Sequence, residues 1–292
     1  MSTRAAMLPL LLLPLAGCAE PERTFFTGGR DAATASDAAA APTDAPAAAD
    51  VFTAIPVRDS GINASCSEAA QLVYVLSDAN VLYSFRPNLR QFTRIGALRC
   101  PTDMQPNSMA IDRNAVAWVN YVRGGLGDVA GAVYRVNTTD EALFVASTAD
   151  PFSGESLGLA RYDAAMGRLI PIGPFTGALR GQSGELTGTG DGRLFGFFTT
   201  TPVRVAEIDK GSGMITNSAP LAQVETPQAW AFSFWGGDFY LYTAGSALLG
   251  RTSNVTRYRP SDGTVDTGYM RDVGFRIVGA GVSTCAPIAP PP

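Results

Sequence analysis

Histidine is absent from all 292 residues, and lysine occurs once, at Lys210. Without imidazole there is no Ser-His-Asp or Cys-His pairing, no histidine-bound metal and no proton shuttle of the commonest neutral-pH kind. Catalysis would have to rest on carboxylates, tyrosine, arginine or that single lysine. Lys210 sits in the turn Asp209-Lys-Gly-Ser-Gly213, where a solvated role suits it better. Positive charge is thin as well: 22 Lys and Arg against 26 Asp and Glu leave a net −4 and no basic stripe, so no nucleic-acid partner is expected. No Asp-x-Asp-x-Asp calcium loop occurs, and neither metal nor cofactor is expected. Gly188-Thr-Gly-Asp-Gly192 and Arg123-Gly-Gly-Leu-Gly-Asp128 have the glycines of a phosphate loop but no helix behind them, so both read as turns.

One apolar run stands apart, at the N terminus. Arg4 precedes a stretch from Ala5 to Pro14 that is too short to span a bilayer, and Leu15-Ala-Gly-Cys18 follows. This resembles a bacterial lipoprotein signal with its lipobox. The resemblance implies cleavage after Gly17 and acylation of Cys18, and several acyl chains together make a stable anchor. The plainer alternative is a secretory leader with an incidental cysteine. Ala19, where an aspartate would retain the protein at the inner membrane, implies outer-membrane sorting. Residues 18–60 are rich in Ala, Pro and Asp and poor in aromatics; Pro42 and Pro46 interrupt any helix that alanine would favour. They read as a solvated tether, whose role is reach.

From residue 61 the composition changes to short apolar runs punctuated by turn residues. With 31 Gly, 20 Pro and 15 Phe in the chain, many short strands are favoured over helices. The clearest unit is Glu185 to Leu221. Its four runs, Leu186 to Thr189, Leu194 to Thr199, Val203 to Ile208 and Met214 to Leu221, alternate with Gly190-Asp-Gly192, Thr200-Thr-Pro202 and Asp209 to Gly213. That is one four-stranded antiparallel blade. Five times an aromatic or β-branched residue closes a strand and an apolar one opens the next at a spacing of seven: Phe85/Phe92, Val136/Leu143, Tyr162/Leu169, Ile208/Ile215 and Tyr258/Val265. The five anchors lie 51, 26, 46 and 50 residues apart, mostly the period of a propeller. The short step from Val136 to Tyr162 leaves no room for two inner strands. Either Leu143 to Ala146 serves as the inner strand of the next blade, or that blade is incomplete.

An inner hairpin recurs too. Segments starting at Asn107, Glu185 and Trp230 superimpose without a gap through Val116, Leu194 and Phe239. The first repeat, at Gln71 to Val75, lacks an innermost strand, while the chain ends with a spare one, Phe275 to Ser283. The two cancel if the ring closes there, which brings Cys66 beside Cys285 and makes a disulfide between them reasonable in an exported protein. Cys100 is left over, either buried and free or the true partner of Cys66. The expected architecture is all-β and propeller-like, of about five blades with one incomplete, closed by the C-terminal strand pairing with the first blade. It occupies 61–287, and 288–292 is a Pro-rich tail.

The segments Glu185 to Phe198, Ala229 to Phe239 and Val278 to Pro287 also resemble those of a group of uncharacterised bacterial β-propeller-like proteins, secreted or lipid-anchored. The similarity covers about 66–287 and implies the same architecture. It supplies no activity. The starts of innermost strands surround one mouth of a propeller's axial channel, so Asn107, Glu185 and Trp230 are the candidate ligand-binding residues. They make one amide, one acid and one indole, not the pair of acids that glycosidases use; Asp103, Glu155 and Glu225 are the nearest sources of a second acid. No catalytic residue is assigned. The function expected is that of a monomeric, lipid-anchored envelope protein that binds a glycan or another envelope protein. The alternative is a carboxylate-dependent glycan hydrolase or lyase that uses Glu185 in the channel.

Overall fold

The computed structural model describes residues 66–123, 130–136, 143–146, 158–163, 168–245 and 252–291. The leader, the lipidation candidate Cys18, the tether and Glu155 lie outside the described residues. No α-helix occurs among the described residues; antiparallel strands form five sheets. Blade 1 consists of β1 (Val73–Ser77), β2 (Val81–Arg86) and β3 (Gln91–Ala97), with β18 (Ile277–Val282) as its innermost strand. Blade 2 has β4 (Gln105–Ile111), β5 (Ala117–Arg123) and β6 (Ala130–Val136), and blade 3 has β7 (Leu143–Ala146), β8 (Leu159–Asp163) and β9 (Arg168–Gly173). Blade 4 runs β10 (Gly184–Gly188), β11 (Leu194–Phe198), β12 (Val203–Ile208) and β13 (Ile215–Leu221). Blade 5 runs β14 (Ala229–Trp235), β15 (Asp238–Ala244), β16 (Asn254–Arg259) and β17 (Thr264–Met270).

The packing explains why strand sequences such as Val73-Tyr-Val-Leu-Ser77 carry no polar alternation. Side chains point to opposite faces with a period of two, and in a ring of blades both faces are covered. Val73 and Val75 accordingly enter the core shared with blade 5, with Tyr240, Tyr242 and Val255. Tyr74 and Leu76 enter the core shared with blade 2, with Met109, Ile111 and Val119. Blades 4 and 5 meet through an aromatic cluster in which Phe239 stacks on Phe232 and Tyr258 and lies edge-on to Phe195 and Phe234. Blades 3 and 4 share Leu159, Phe175, Leu194 and Phe198. Trp118 of blade 2 meets Tyr162 of blade 3 edge to face, with ring centroids 6.5 Å apart. Each blade therefore packs on the next around a closed circuit.

The ring closes as the sequence predicts. β1 pairs antiparallel with β18, Val73 opposite Val282 and Val75 opposite Ala280. Cys66 is bonded to Cys285 across a Cα separation of 5.8 Å, so the alternative partner Cys100 does not hold for Cys66, and no cysteine is a free thiol among the described residues. A link over a sequence separation of 219 removes roughly 5 kcal/mol of chain entropy from the unfolded state.

One expectation needs correction. Val136 and Leu143 do not form an outer hairpin: Val136 pairs with Ala117 in blade 2, whereas Leu143 pairs with Tyr162 and opens blade 3. Leu143 to Ala146 serves as the inner strand of blade 3, one of the two arrangements expected, and among the described residues the blades on either side of that step have three strands each.

Candidate functional site

The five inner strands run parallel to one another and turn their free edges to the axis. They start at one end of the ring, the loop side, and finish at the other, the turn side, where the inner hairpins reverse. β18 and β4 lie backbone to backbone. A Cβ on Gly279 would come within 3.0 Å of the Ser108 and Met109 backbone, and one on Gly281 within 2.9 Å of the Ile111 amide nitrogen. Only glycine lets these two backbones abut, which gives the motif Val278-Gly-Ala-Gly-Val282 its structural reason.

Glu185 stands on β10, one residue in from its loop-side end, and pairs with Phe197 of β11. Its side chain shares a sheet face with Thr187, while Leu186 turns the other way, toward blade 3. The carboxylate reaches across the axis, and Ser108 Oγ of blade 2 donates a hydrogen bond to Glu185 Oε2 at 2.9 Å. This bond joins blades 2 and 4, which are not neighbours in the ring. Glu185 is half-buried among the inner strands. Loss of hydration therefore pushes its carboxyl from 4.5 up to about 8, against the opposing effect of the Ser108 hydrogen bond. Burial thus favours the protonated form, which can donate as well as accept.

The other two candidates stand on the inner strands β4 and β14. Asn107 is exposed at a bulge in β4: Pro106 faces Tyr121 and Ser108 faces Asn120, so Asn107 is skipped. The bulge moves Ser108 into the position from which it meets Glu185. Trp230 is half-buried at the start of β14 and packs against the core between blades 4 and 5. Trp235, at the turn-side end of the same strand, is buried and donates from Nε1 to the Gln71 carbonyl at 2.8 Å.

Two of the candidate second acids lie in exposed positions. Asp103 is paired with Arg123, whose hydrogen bond and charge hold its carboxyl below the usual range. Glu225 stands in the loop before β14. Among the described residues the hydrogen-bond partner of Glu185 is Ser108, and no group of three or more His, Cys, Asp or Glu is placed to hold a metal. Chemically, the pair offers a carboxyl whose burial favours the protonated form, and one hydroxyl. Ser108 could not be read from the sequence, because an ungapped alignment of inner hairpins assigns Asn107 to that place.

No protein-family model matches the chain, and no curated protein matches it in sequence. Among solved structures it is similar to a protein of unknown function from Bacteroides caccae, at 12% identity over 73% of this chain and 98% of that one, with a TM-score of 0.32. It is also similar to a GH43 β-1,3-galactosidase, at 11% identity over 63% of this chain and 39% of that one, TM-score 0.30. A third is the Dos1 propeller, at 14% identity over 68% of this chain and 44% of that one, TM-score 0.23. Likenesses this distant carry no functional argument, and the architecture rests on the sheets themselves.

Proposed function

We propose that this chain is a monomeric, lipid-anchored envelope protein of the outer membrane whose propeller receives a neutral, hydroxyl-rich ligand, a glycan, at its loop-side mouth. The observation that carries the reading is Glu185: a half-buried acid on an innermost strand, with Ser108 of a blade across the ring as its hydrogen-bond partner. Desolvating a carboxyl works against folding, and a threonine or leucine would fill the same place at no such cost. A protonated acid beside a hydroxyl both donates and accepts, which matches sugar hydroxyls, and the half-buried Trp230 offers a flat apolar surface with a donor. The lipobox ending in Cys18 and the alanine after it support the anchor and its destination. Fatty-acid labelling in cells that is lost in Cys18→Ser is the expected result there; recovery of Cys18 in a disulfide-linked peptide would overturn the anchor.

A second reading, a carboxylate-dependent glycan hydrolase or lyase, is favoured by one feature, the burial of Glu185, which pushes its carboxyl toward the protonated form that a general acid needs. The two readings separate cleanly on one pair of variants. Glutamine reproduces the donor and acceptor of a neutral carboxyl but transfers no proton. Against a panel of envelope glycans, the binding reading expects Glu185→Gln to be retained nearly as well as the unaltered protein and Glu185→Leu to lose at least tenfold. The enzyme reading expects Glu185→Gln to abolish turnover. Retention indifferent to Glu185→Leu sinks the first, and turnover indifferent to Glu185→Gln sinks the second.

A further inference from the structure

The last residues of the chain do not leave the ring after β18. Ser283 Oγ donates to the Ala70 carbonyl at 2.7 Å and roots the segment in blade 1. Arg113 Nε, in the β4–β5 turn of blade 2, donates to Thr284 Oγ1 at 3.3 Å. Ala286 is buried in the core between blades 5 and 1. Its carbonyl oxygen lies where a side chain on Gly190, in the inner turn of blade 4, would stand: a Cβ there would come within 2.4 Å. The Pro287 carbonyl then accepts from the Gly236 amide at 2.7 Å, and Ile288 to Pro290 pass over Gly236 and Gly237 in the inner turn of blade 5. A short strap that starts in blade 1 and touches the inner turns of blades 2, 4 and 5 must cross the axis. Glycines at 190, 236 and 237 are its seat, and the Cys66–Cys285 bond fastens it.

We propose that the axial channel is a blind pocket. The strap 284–290 seals its turn-side mouth, latched by the Cys66–Cys285 disulfide, so the loop-side mouth takes the end of a neutral chain and not its middle. The seal stands on the contacts above alone, and the preference for chain ends rests on the binding reading of the preceding section. Ser108 and Glu185 meet across the axis near its loop-side end, which narrows the passage that a threaded polymer would need.

The seal is tested by amide hydrogen exchange on the full chain, in the unaltered protein, in Cys66→Ser/Cys285→Ser and in Gly190→Val. The last pushes a side chain into the Ala286 carbonyl with the disulfide intact. The Gly236 amide is expected to exchange at least tenfold faster in both variants, while amides of β1 and β18 keep their protection. Unchanged exchange at Gly236 in Gly190→Val overturns the seal. Loss of β1 and β18 protection together with Gly236 overturns the latch, since the disulfide would then be holding the ring and not the strap. The ligand arm compares linear with cyclic neutral oligosaccharides of matched length and linkage, across the linkages of the envelope panel. Linear forms are expected to be retained at least tenfold better, and equal retention overturns end recognition. Retention of neither, with the Gly236 result as expected, overturns the binding reading and the end preference while the seal stands.

Discussion

On the turn side of the ring, the Gly236 amide meets the Pro287 carbonyl, Arg113 meets Thr284, Ser283 meets the Ala70 carbonyl, and Cys66 is bonded to Cys285. On the loop side, Asn107 is exposed at a bulge, Trp230 is half-buried, and Glu185 reaches across the axis to a single hydroxyl. One end directs its polar groups and its covalent bond at the protein itself. The other holds a half-buried acid paired with one hydroxyl across the axis. The difference teaches where to look for function: stability is concentrated at the turn side, and the groups held at a cost are at the loop side.

The largest effect expected is from the turn side. Replacing both Cys66 and Cys285 by serine should lower stability by about 2 to 5 kcal/mol, read from the midpoint of denaturant unfolding. A loop-side substitution such as Trp230→Ala that costs as much would break the contrast. Next comes Gly281→Val, which drives a branched side chain into the Ile111 backbone where neither strand has room to retreat. A loss of about 1 to 3 kcal/mol is expected, and a neutral result would mean that β18 and β4 do not abut.

The strand framework behind this contrast was legible because hairpins leave local marks. Of the five pairs spaced by seven, Phe85 with Phe92, Tyr162 with Leu169, Ile208 with Ile215 and Tyr258 with Val265 are opposite one another in the ladders. Val136 and Leu143 keep the spacing but belong to different sheets, since spacing alone does not distinguish a hairpin from a step between blades. Glu185 was legible as the equivalent of a residue at the start of an inner strand. Ser108 was not, because the bulge at Asn107 displaces it by one residue and leaves no mark in composition. The strap was hidden for a different reason. Its short Ala- and Pro-rich sequence reads as a tail, and the glycines that seat it come from turns far apart in the chain.

At the loop side the expected signature is a dependence on pH. A carboxyl raised from 4.5 to about 8 on folding contributes stability that is fully present below pH 4.5 and lost as pH rises to 8. Each tenfold gain in proton affinity on folding corresponds to about 1.4 kcal/mol, so the fall between pH 5 and 9 should be of the order of 3 kcal/mol, allowing for the partial access of water. Glu185→Gln has nothing to titrate there. Its stability should stay flat over that range and exceed that of the unaltered protein at pH 9. Parallel pH profiles for the two proteins would show that Glu185 is not desolvated, and the loop side would lose its distinguishing feature.

The smallest effect sharpens the contrast most. Ser108 donates to Glu185, and donation favours the ionised carboxylate, so the bond holds the carboxyl lower than burial alone would. Ser108→Ala removes it and should move the Glu185 titration upward, which the pH dependence of the unfolding midpoint or the carboxyl chemical shift would report. At pH 6, where the acid is protonated in either protein, the cost should be about 1 kcal/mol or less, the net worth of one neutral hydrogen bond. A large loss at pH 6 would make the Ser108 to Glu185 bond a structural tie between blades 2 and 4, and the acid would then belong to the fold. A small loss with a raised titration leaves it a polar group held ready for something outside the chain.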